Sequence, residues 1–297
     1  MSNPATLVSI GLPVRNAGTR VADVARSVLA QDHADLELLI TDNASTDDTE
    51  EVCRELARAD SRISYHRQQH NIGLLNNFVY AIGAARGTYF RWIGDDDRLE
   101  PAFVRRCLEV FEADPRLLLV TTAISYTGPD GEVQSAEYAG PGPGRDGLDS
   151  DDPVDRLTEM LRLLNQSHLV IDPLYGMVRR AKVAAIPRRN MLREDEVFAT
   201  KLALAGPWRH LNEVLAHRVW KHEPTKVIGP RLEVPSWQWK FATTLQVREM
   251  LRWIRVVNLT EEQRRRAKAE VYRMYVTRES IVAKRRARKL VKMATSR

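Results

Sequence analysis

Cysteine is scarce in this chain of 297 residues, which contains two, Cys53 and Cys107. Both fall in segments with helical patterning, so the sequence offers neither a disulfide framework nor a cysteine-based zinc site. The first 18 residues lack the basic region and long apolar region of a secretory signal, and no run of about 18 apolar residues is present to span a membrane. The expected location is therefore cytoplasmic, at most peripheral at the inner face of a membrane.

Two glycine-rich nucleotide motifs are also missing. No GxGxxG follows the first predicted strand and no GxxxxGK[ST] occurs anywhere, which argues against a dinucleotide-dependent oxidoreductase and against a P-loop ATPase. Apolar residues make up 43% of the chain, with six Trp, eight Tyr and six Phe. This composition excludes a mostly disordered protein, and the length suffices for a full hydrophobic core.

The net charge of +6 is unevenly distributed. From Lys240 onward there are 17 Lys and Arg against 5 Asp and Glu, whereas the preceding residues carry 28 against 34. The basic character therefore belongs to the C-terminal tail. Its apolar residues 267, 271, 274, 275, 281 and 282 share one helical face that Arg278 interrupts. Such a helix can lie on an anionic membrane or pack on the protein itself or a second copy, and both readings stay open.

The first 125 residues alternate short apolar runs with helical patterns, which is typical of a parallel α/β sheet. The predicted strands are 7–13, 36–41, 63–66, 89–93 and 117–124, and the predicted helices are 19–31, a second beginning at 45–48, 74–86 and a fourth beginning at 101. Residues 127–153 are rich in Gly, Pro and Asp and are predicted to form a long mobile loop. The remainder predicts helices 154–164 and 194–205, a strand 214–220, and helices from 237 with a break at 258–260.

Polar and acidic residues follow four of these strands. They are Arg15 and Asn16, then residues 42–48 (DNASTDD), then residues 70–73 (HNIG), and then Asp95, Asp96 and Asp97. In an open parallel sheet the ligand site lies beyond the carboxyl ends of the strands. Acidic clusters that converge there favour a divalent cation with a phosphorylated ligand. The alternatives are a helix cap at 45–48 and a solvated turn at 95–97.

The motifs VSIGLPVRN, LLITDNASTDDT, NIGLLNNF, ARGTYFRWIGDDDRLEP and REDEVFATKLALAG, in this order over residues 7–222, resemble the family 2 glycosyltransferases of the GT-A fold. The resemblance implies a Rossmann-like, mostly parallel sheet flanked by helices in a catalytic domain of residues 1–225, followed by a basic helical extension of residues 226–297. Within the catalytic domain, residues 1–126 would bind the nucleotide and residues 154–225 would form the acceptor side.

The resemblance also assigns roles to individual residues. It implies nucleotide contacts at Pro13, Val14, Arg15, Asn16, Asp42, Asn71, Gly73 and Asp95. It implies Mn²⁺ or Mg²⁺ as the cofactor, with Asp96 as the main ligand, Asp97 in support and His222 as a further candidate. Many members carry an additional Asp where this chain has Gly94, so the assignment within the triplet stays open.

The acceptor side carries the predicted catalytic base. The family's Glu-Asp pair at a helix start corresponds to Glu194 and Asp195, of which Asp195 would act as the general base and Glu194 would lie beside it. Tyr175 is a further acceptor-side candidate. The alternative is that these acids serve only to interact favourably with the positive end of the helix dipole. Trp92 and Trp208 are expected in the core rather than stacked on a sugar.

The predicted function is an inverting, metal-assisted transfer of a sugar from a nucleotide donor, most simply a UDP-sugar, to a hydroxyl of a glycan, lipid-linked or small-molecule acceptor. Nucleic acid is not an expected partner, because the acidic strand ends would be unexplained; self-association stays open. One rival is a sugar nucleotidyltransferase, although residues 13–20 (PVRNAGTR) lack the lysine that its loop needs. The other rival is a non-catalytic binding protein on the same scaffold.

Overall fold

The computed structural model describes residues 6–140, 147–166, 170–220 and 225–295. Within these ranges, no helix is long and apolar enough to cross a bilayer. The described residues form nine strands of one sheet. The strands are β1 Val8–Val14, β2 Leu36–Asp42, β3 Ile63–Arg67, β4 Tyr89–Trp92, β5 Arg98–Leu99, β6 Leu119–Thr127, β7 Val133–Gln134, β8 Met177–Arg179 and β9 Trp208–Val219.

Helices cover both faces of this sheet and continue into the C-terminal part. They are α1 Arg20–Leu29, α2 Thr49–Ala59, α3 Leu74–Ala84, α4 Phe103–Ala113, α5 Pro153–Leu164, α6 Arg180–Ala184, α7 Glu194–Ala205, α8 Thr225–Arg231, α9 Ser236–Trp239, α10 Ala242–Val256 and α11 Glu261–Thr295. A single 3₁₀ turn, Pro173–Tyr175, precedes β8.

The strand order is β3-β2-β1-β4-β8-β6-β9-β5, with β7 paired to β6. β1 pairs in parallel with β2 and β4, and β6 pairs in parallel with β9. β8 runs antiparallel to both of its neighbours, β4 and β6. The carboxyl ends of β1, β2, β4, β6 and β9 consequently meet at one edge, which is where the predicted site residues follow the strands. The expected mostly parallel α/β sheet is confirmed.

The central strands are apolar on both faces because helices bury both. One core packs Ile10, Leu12 and Ile40 against α1 and α4, and the other packs Phe90, Trp92 and their neighbours against α3 and α7. Trp92 and Trp208 are each 1% exposed, which confirms that both belong to the core.

The C-terminal helices pack on the rest of the described fold. Ala267, Val271 and Met274 of α11 are buried in a third apolar cluster shared with α5, α7 and α10. Thr260 caps α11 after the predicted break at 258–260. The Gln263 amide donates to the Thr260 Oγ1 at 3.2 Å, and the Thr260 amide donates to the Gln263 Oε1 at 3.1 Å. For this part of the tail the structure shows packing on the protein itself.

Three local predictions need correction. The second helix begins at Thr49 rather than at 45–48. The Ser45 hydroxyl donates a hydrogen bond to Asp42 and therefore does not cap the helix. The three-residue strand β8 lies between the predicted helices 154–164 and 194–205, where no strand is predicted, because a strand so short shows no alternation of its own. β9 begins at Trp208, six residues before the predicted start.

Part of the predicted loop, residues 141–146, lies outside the described residues. The first half of the predicted loop, up to residue 140, is held by hydrogen bonds to neighbouring elements. β7 pairs with the end of β6, and the Tyr138 backbone exchanges two hydrogen bonds with the Asn212 side chain, at 3.0 and 3.1 Å. The Tyr138 hydroxyl also donates to the Glu159 carboxylate at 2.9 Å. That this loop is mobile and closes over the site when the donor binds stays a prediction. Hydrogen exchange measured with and without donor would test it.

Candidate functional site

The loops after β1 and β2 are joined by side-chain hydrogen bonds. The Asn16 amide donates to the Ser45 hydroxyl at 2.9 Å, and the Asn16 Oδ1 accepts from the Thr46 amide at 2.9 Å. Asn16 and Ala44 both adopt left-handed backbone conformations, with φ of 53° and 54°. Such conformations cost energy in residues other than glycine and are common at ligand sites. Of the predicted PVRN turn, Pro13 and Val14 are buried, whereas Arg15 and Asn16 are exposed at the sheet edge.

Asp42 is buried beneath these loops. Its Oδ1 accepts hydrogen bonds from the Ser45 amide at 2.9 Å and the Ser45 hydroxyl at 2.5 Å, and its Oδ2 accepts from the Tyr65 hydroxyl at 2.7 Å. Burial, together with Asp42, raises the pKa of the Tyr65 phenol. In this arrangement Asp42 holds the 42–45 turn in shape.

Asn71 and Gly73 continue the same edge. The Asn71 Oδ1 accepts from the Asn43 side chain at 2.7 Å and from the Gly73 amide at 3.0 Å. Gly73 has a φ of 88° and directly precedes α3, a backbone conformation that favours glycine. The predicted nucleotide-binding residues are thus brought together by the structure into one set of interlocked loops.

The three aspartates after β4, Asp95, Asp96 and Asp97, have different surroundings. Asp95 accepts from Arg20 of α1, at 3.2 Å from Nε and 2.5 Å from the terminal nitrogen. Asp97 is 4% exposed, accepting from the Gly94 amide at 2.9 Å and from Arg218 Nε at 3.1 Å. Asp96 lies half-buried between them. A Cβ at position 94 would lie 3.0 Å from the Asp97 carboxylate, so glycine at this position suits the close packing of Asp97.

Arg218 at the end of β9 connects this triplet to Asp172 and to Tyr175, a residue predicted for the acceptor side. Besides Asp97, it donates to Asp172 at 2.6 Å, and its guanidinium carbon lies 3.6 Å from the centre of the Tyr175 ring. Burial raises the pKa of the Tyr175 phenol to about 12, so Tyr175 stays protonated. The family resemblance assigns His222 in this segment as a candidate, and His222 lies outside the described residues. Arg218, four residues earlier, was not predicted from the sequence.

The described residues contain no cluster of three His, Cys, Asp or Glu side chains arranged to hold a metal ion. A divalent ion at this edge would therefore take one or two carboxylates from the protein and the rest of its ligands from a diphosphate and water, which is the usual Mg²⁺ arrangement. Asp96 is half-buried whereas Asp97 is 4% exposed, so the Asp96 carboxylate is more accessible to an ion than that of Asp97. The residues present are compatible with a metal that arrives with its nucleotide.

Three acids at the start of α7 line one cavity of about 890 Å³ but differ in their partners and exposure. Glu194 is 8% exposed and forms an ion pair with Arg188, whose Nε donates at 2.8 Å. Glu196 faces the C-terminal helices, where Gln246 donates to it at 2.9 Å and Arg278 pairs with it at 2.5 Å. Asp195 is the most exposed of the three. Arg278, which interrupts the apolar stripe in the sequence, therefore fixes the helix that carries Asp195.

The Asp195 cavity lies between α3, the 188–196 segment and the C-terminal helices, and Tyr175 lines it as well. Asp195 is exposed and lines this half-open cavity. Burial raises the pKa of Asp195 to about 6, and the neighbouring Glu196 contributes in the same direction. A carboxylate with a pKa near neutrality is well suited to accept a proton from a hydroxyl group.

A pH profile tests this reading of Asp195. Only the deprotonated carboxylate accepts a proton, so kcat/KM should rise about tenfold per pH unit below pH 6 and level off above it. Donor affinity measured by calorimetry should change much less between pH 5 and pH 7. A midpoint near pH 4, the ordinary value of an aspartate, would contradict a desolvated base.

The family model for glycosyl transferase family 2 matches residues 9–183, more than half of the chain. The chain belongs to glycosyl transferase family 2. Among curated proteins it is 33% identical over 227 residues to a hyaluronan synthase of Pasteurella multocida and 28% identical over 222 residues to a chondroitin synthase of Escherichia coli. These alignments cover 76% and 74% of this chain but only 22% and 30% of the relatives' own lengths.

Solved structures of low sequence identity share the fold of this family 2 chain. TarS residues 1–349 of S. aureus, in complex with UDP-GlcNAc, superimposes with a TM-score of 0.65 at 14% identity, over 91% of this chain and 72% of that one. The mannosyltransferase PcManGT from Pyrobaculum calidifontis, in complex with GDP-Man and Mn²⁺, gives 0.55 at 15% identity, over 98% and 80%. The GT-A fold expected from the sequence is thereby confirmed.

Proposed function

We propose that this family 2 member is an inverting glycosyltransferase that moves a sugar from a nucleoside diphosphate sugar, preferably a UDP-sugar, to a hydroxyl of a glycan acceptor. The observation that carries the proposal is Asp195. It lines a cavity between α3, the 188–196 segment and the C-terminal helices, and its pKa is raised to about 6. A UDP-GlcNAc complex of TarS and a GDP-Man complex of PcManGT support a nucleotide sugar as donor. The hyaluronan and chondroitin synthases support a glycan as acceptor.

The chain's own residues divide the reaction between two sides. The loops of Asn16, Asp42 and Asn71 would bind the nucleoside, and the Arg20–Asp95 pair would join the first of these loops to the acid triplet. Asp195 would remove the proton of the attacking hydroxyl as its oxygen reaches the anomeric carbon from the face opposite the diphosphate. A single displacement of this kind inverts the anomeric configuration.

Asp96 would hold Mn²⁺ or Mg²⁺, which when bound neutralises the charge that develops on the departing diphosphate. The Mn²⁺ in the PcManGT complex supports a divalent metal as the cofactor. Asp97 would keep its place under the loop through Arg218 and the Gly94 amide, so we propose a supporting rather than a ligating role for it.

The substitution Asp96→Asn tests the donor side. It keeps the size of the side chain but removes the charge, so UDP affinity in the presence of Mn²⁺ should fall at least about tenfold, and added Mn²⁺ should no longer strengthen binding. Isothermal titration with UDP, with and without Mn²⁺, measures both effects. The control is Asp23→Asn, which makes the same change at an exposed aspartate of α1.

If Asp96→Asn binds UDP with the affinity and metal dependence of the parent, the acid triplet is only a solvated turn. A sugar nucleotidyltransferase would instead release pyrophosphate from a nucleoside triphosphate and a sugar phosphate. A non-catalytic binding protein would leave the donor intact in the presence of metal. Product analysis after incubation with UDP-GlcNAc and Mn²⁺ separates these cases.

A further inference from the structure

A second cavity, of about 840 Å³, lies beside the Asp195 cavity and is not used by the proposed reaction. Its walls are the segment 189–191, the helix α9 with its exposed Trp237, and one face of α10. We call it the arginine groove, because four arginines line it: Arg189, Arg248, Arg252 and Arg255.

The positive charge of the arginine groove is poorly compensated. Arg248, Arg252 and Arg255 are four and three residues apart, so they form one row on α10 about 10 Å long. All three are exposed, and among the described residues none of them pairs with an acidic side chain. The one acid that lines the groove, Glu249, is shared between Arg189 and Lys201. A row of unpaired arginines raises the local concentration of anions.

The arginine groove adjoins the Asp195 cavity. Asn190 and Thr244 line both. The groove lies at the C-terminal helices, whereas the predicted nucleotide residues Asn16, Asp42 and Asp95 line neither cavity. A molecule whose hydroxyl sits at Asp195 would therefore extend into the groove on the side away from the nucleotide loops.

We propose that the arginine groove binds the part of the acceptor behind the reacting sugar, and that this acceptor is an anionic glycan with carboxylates or phosphates along its chain. The proposal rests on the proposed function, because it takes Asp195 as the point of attack. Arginine guanidinium groups can donate paired hydrogen bonds to carboxylate and phosphate oxygens. The Trp237 side chain, which is 59% exposed, offers a flat apolar face beside them. The three walls form a concave channel, which suits a linear chain better than the surface of a bilayer.

Neutralising two of the arginines tests the proposal. The variant is Arg248→Gln with Arg252→Gln, and the control is Arg58→Gln with Arg265→Gln, two exposed arginines on α2 and α11. The probes are a hyaluronan-derived octasaccharide, its carboxyl-reduced counterpart and a glycerol phosphate octamer. Binding is measured by calorimetry, and transfer to each probe is measured with UDP-GlcNAc and UDP-glucuronic acid as donors.

The parent and the control should bind at least one charged probe, with the affinity falling as salt is added, and should bind the reduced octasaccharide weakly. The groove variant should lose about 3- to 30-fold in affinity for the charged probe, the range that two exposed charge pairs span. In transfer, the loss should appear in KM with kcat within about twofold. The charged probe that responds shows whether carboxylate or phosphate is preferred.

Equal binding of charged and reduced octasaccharides by the parent, or an equal loss in the control, would overturn the proposal. So would a groove variant that binds all probes normally but no longer floats with vesicles of phosphatidylglycerol, since the arginines would then face a membrane. Calorimetry needs no turnover, which separates the two proposals. Charge-dependent binding without any transfer would contradict transfer from these two donors and leave only an anion-binding groove. Transfer that does not depend on the charge of the probe would support the enzyme activity and overturn the role of the groove.

Discussion

Asp195→Asn should reduce sugar transfer by about 10² to 10⁴, the usual contribution of a general base. The amide keeps the size of the side chain but cannot take the proton of the acceptor hydroxyl. UDP affinity should stay within about twofold, because Asp195 faces the cavity beside the C-terminal helices and not the nucleotide loops. Steady-state transfer assays and UDP calorimetry on the same preparations measure the two quantities.

Loss of folding would not explain such a result. Burial raises the pKa of Asp195, so its negative charge above pH 6 is less favourable in the folded chain than in the unfolded one. Removing that charge should leave the melting temperature at pH 8 unchanged or higher. The matched control is Glu279→Gln, an exposed acid of α11 that lines the same cavity. If the two variants lost similar activity, Asp195 would not be the base.

Glu194→Gln should instead lower the free energy of unfolding by about 3 to 5 kcal/mol, the cost of breaking a buried ion pair. The Glu194 and Arg188 side chains are 10% and 5% exposed, and the Arg188 guanidinium lies 4.3 Å from the centre of the Phe198 ring. Without the carboxylate, Arg188 would be a buried charge with no countercharge. Urea denaturation at constant pH measures the change.

Two further variants separate this ion pair from a general effect of charge. Arg26→Gln breaks the exposed pair of Arg26 with Asp23 and should cost less than about 1 kcal/mol. The double variant Arg188→Met with Glu194→Leu should recover much of the loss, because apolar residues of similar volume commonly replace a buried pair without penalty. A Glu194→Gln protein as stable as the parent would show that Glu194 is not needed to neutralise Arg188.

The fold was largely predictable because its information is local. Continuous apolar runs in β1 and β2, and amphipathic helices between strands, follow directly from burial on both faces of a sheet. β8 escaped prediction because its place is decided by β4 and β6, which are distant in sequence. The start of α2 was misplaced because Ser45, a good helix cap in isolation, hydrogen-bonds Asp42 instead.

The candidate site was predictable only in part. Polar residues at strand ends located the edge, but their partners could not be read from the chain. Arg218 reaches Asp97 across 121 positions of sequence, and Arg278 reaches Gln246 across 32. The adjacent acids Glu194, Asp195 and Glu196 look alike in sequence. Glu194 is paired with Arg188, Glu196 is bound by the C-terminal helices, and Asp195 is exposed in the cavity. These surroundings come from the tertiary packing alone.

The hydrogen bond network of Arg278 has a consequence for synthesis of the chain. Glu196, next to the proposed base, is bound by Gln246 and Arg278, and the latter also holds Asn165 and the Leu164 carbonyl at the end of α5. A ribosome delivers Arg278 more than eighty residues after Asp195. The nucleotide loops can therefore form on a growing chain well before the base is fixed, and we expect nascent chains to bind a nucleotide before they can glycosylate anything.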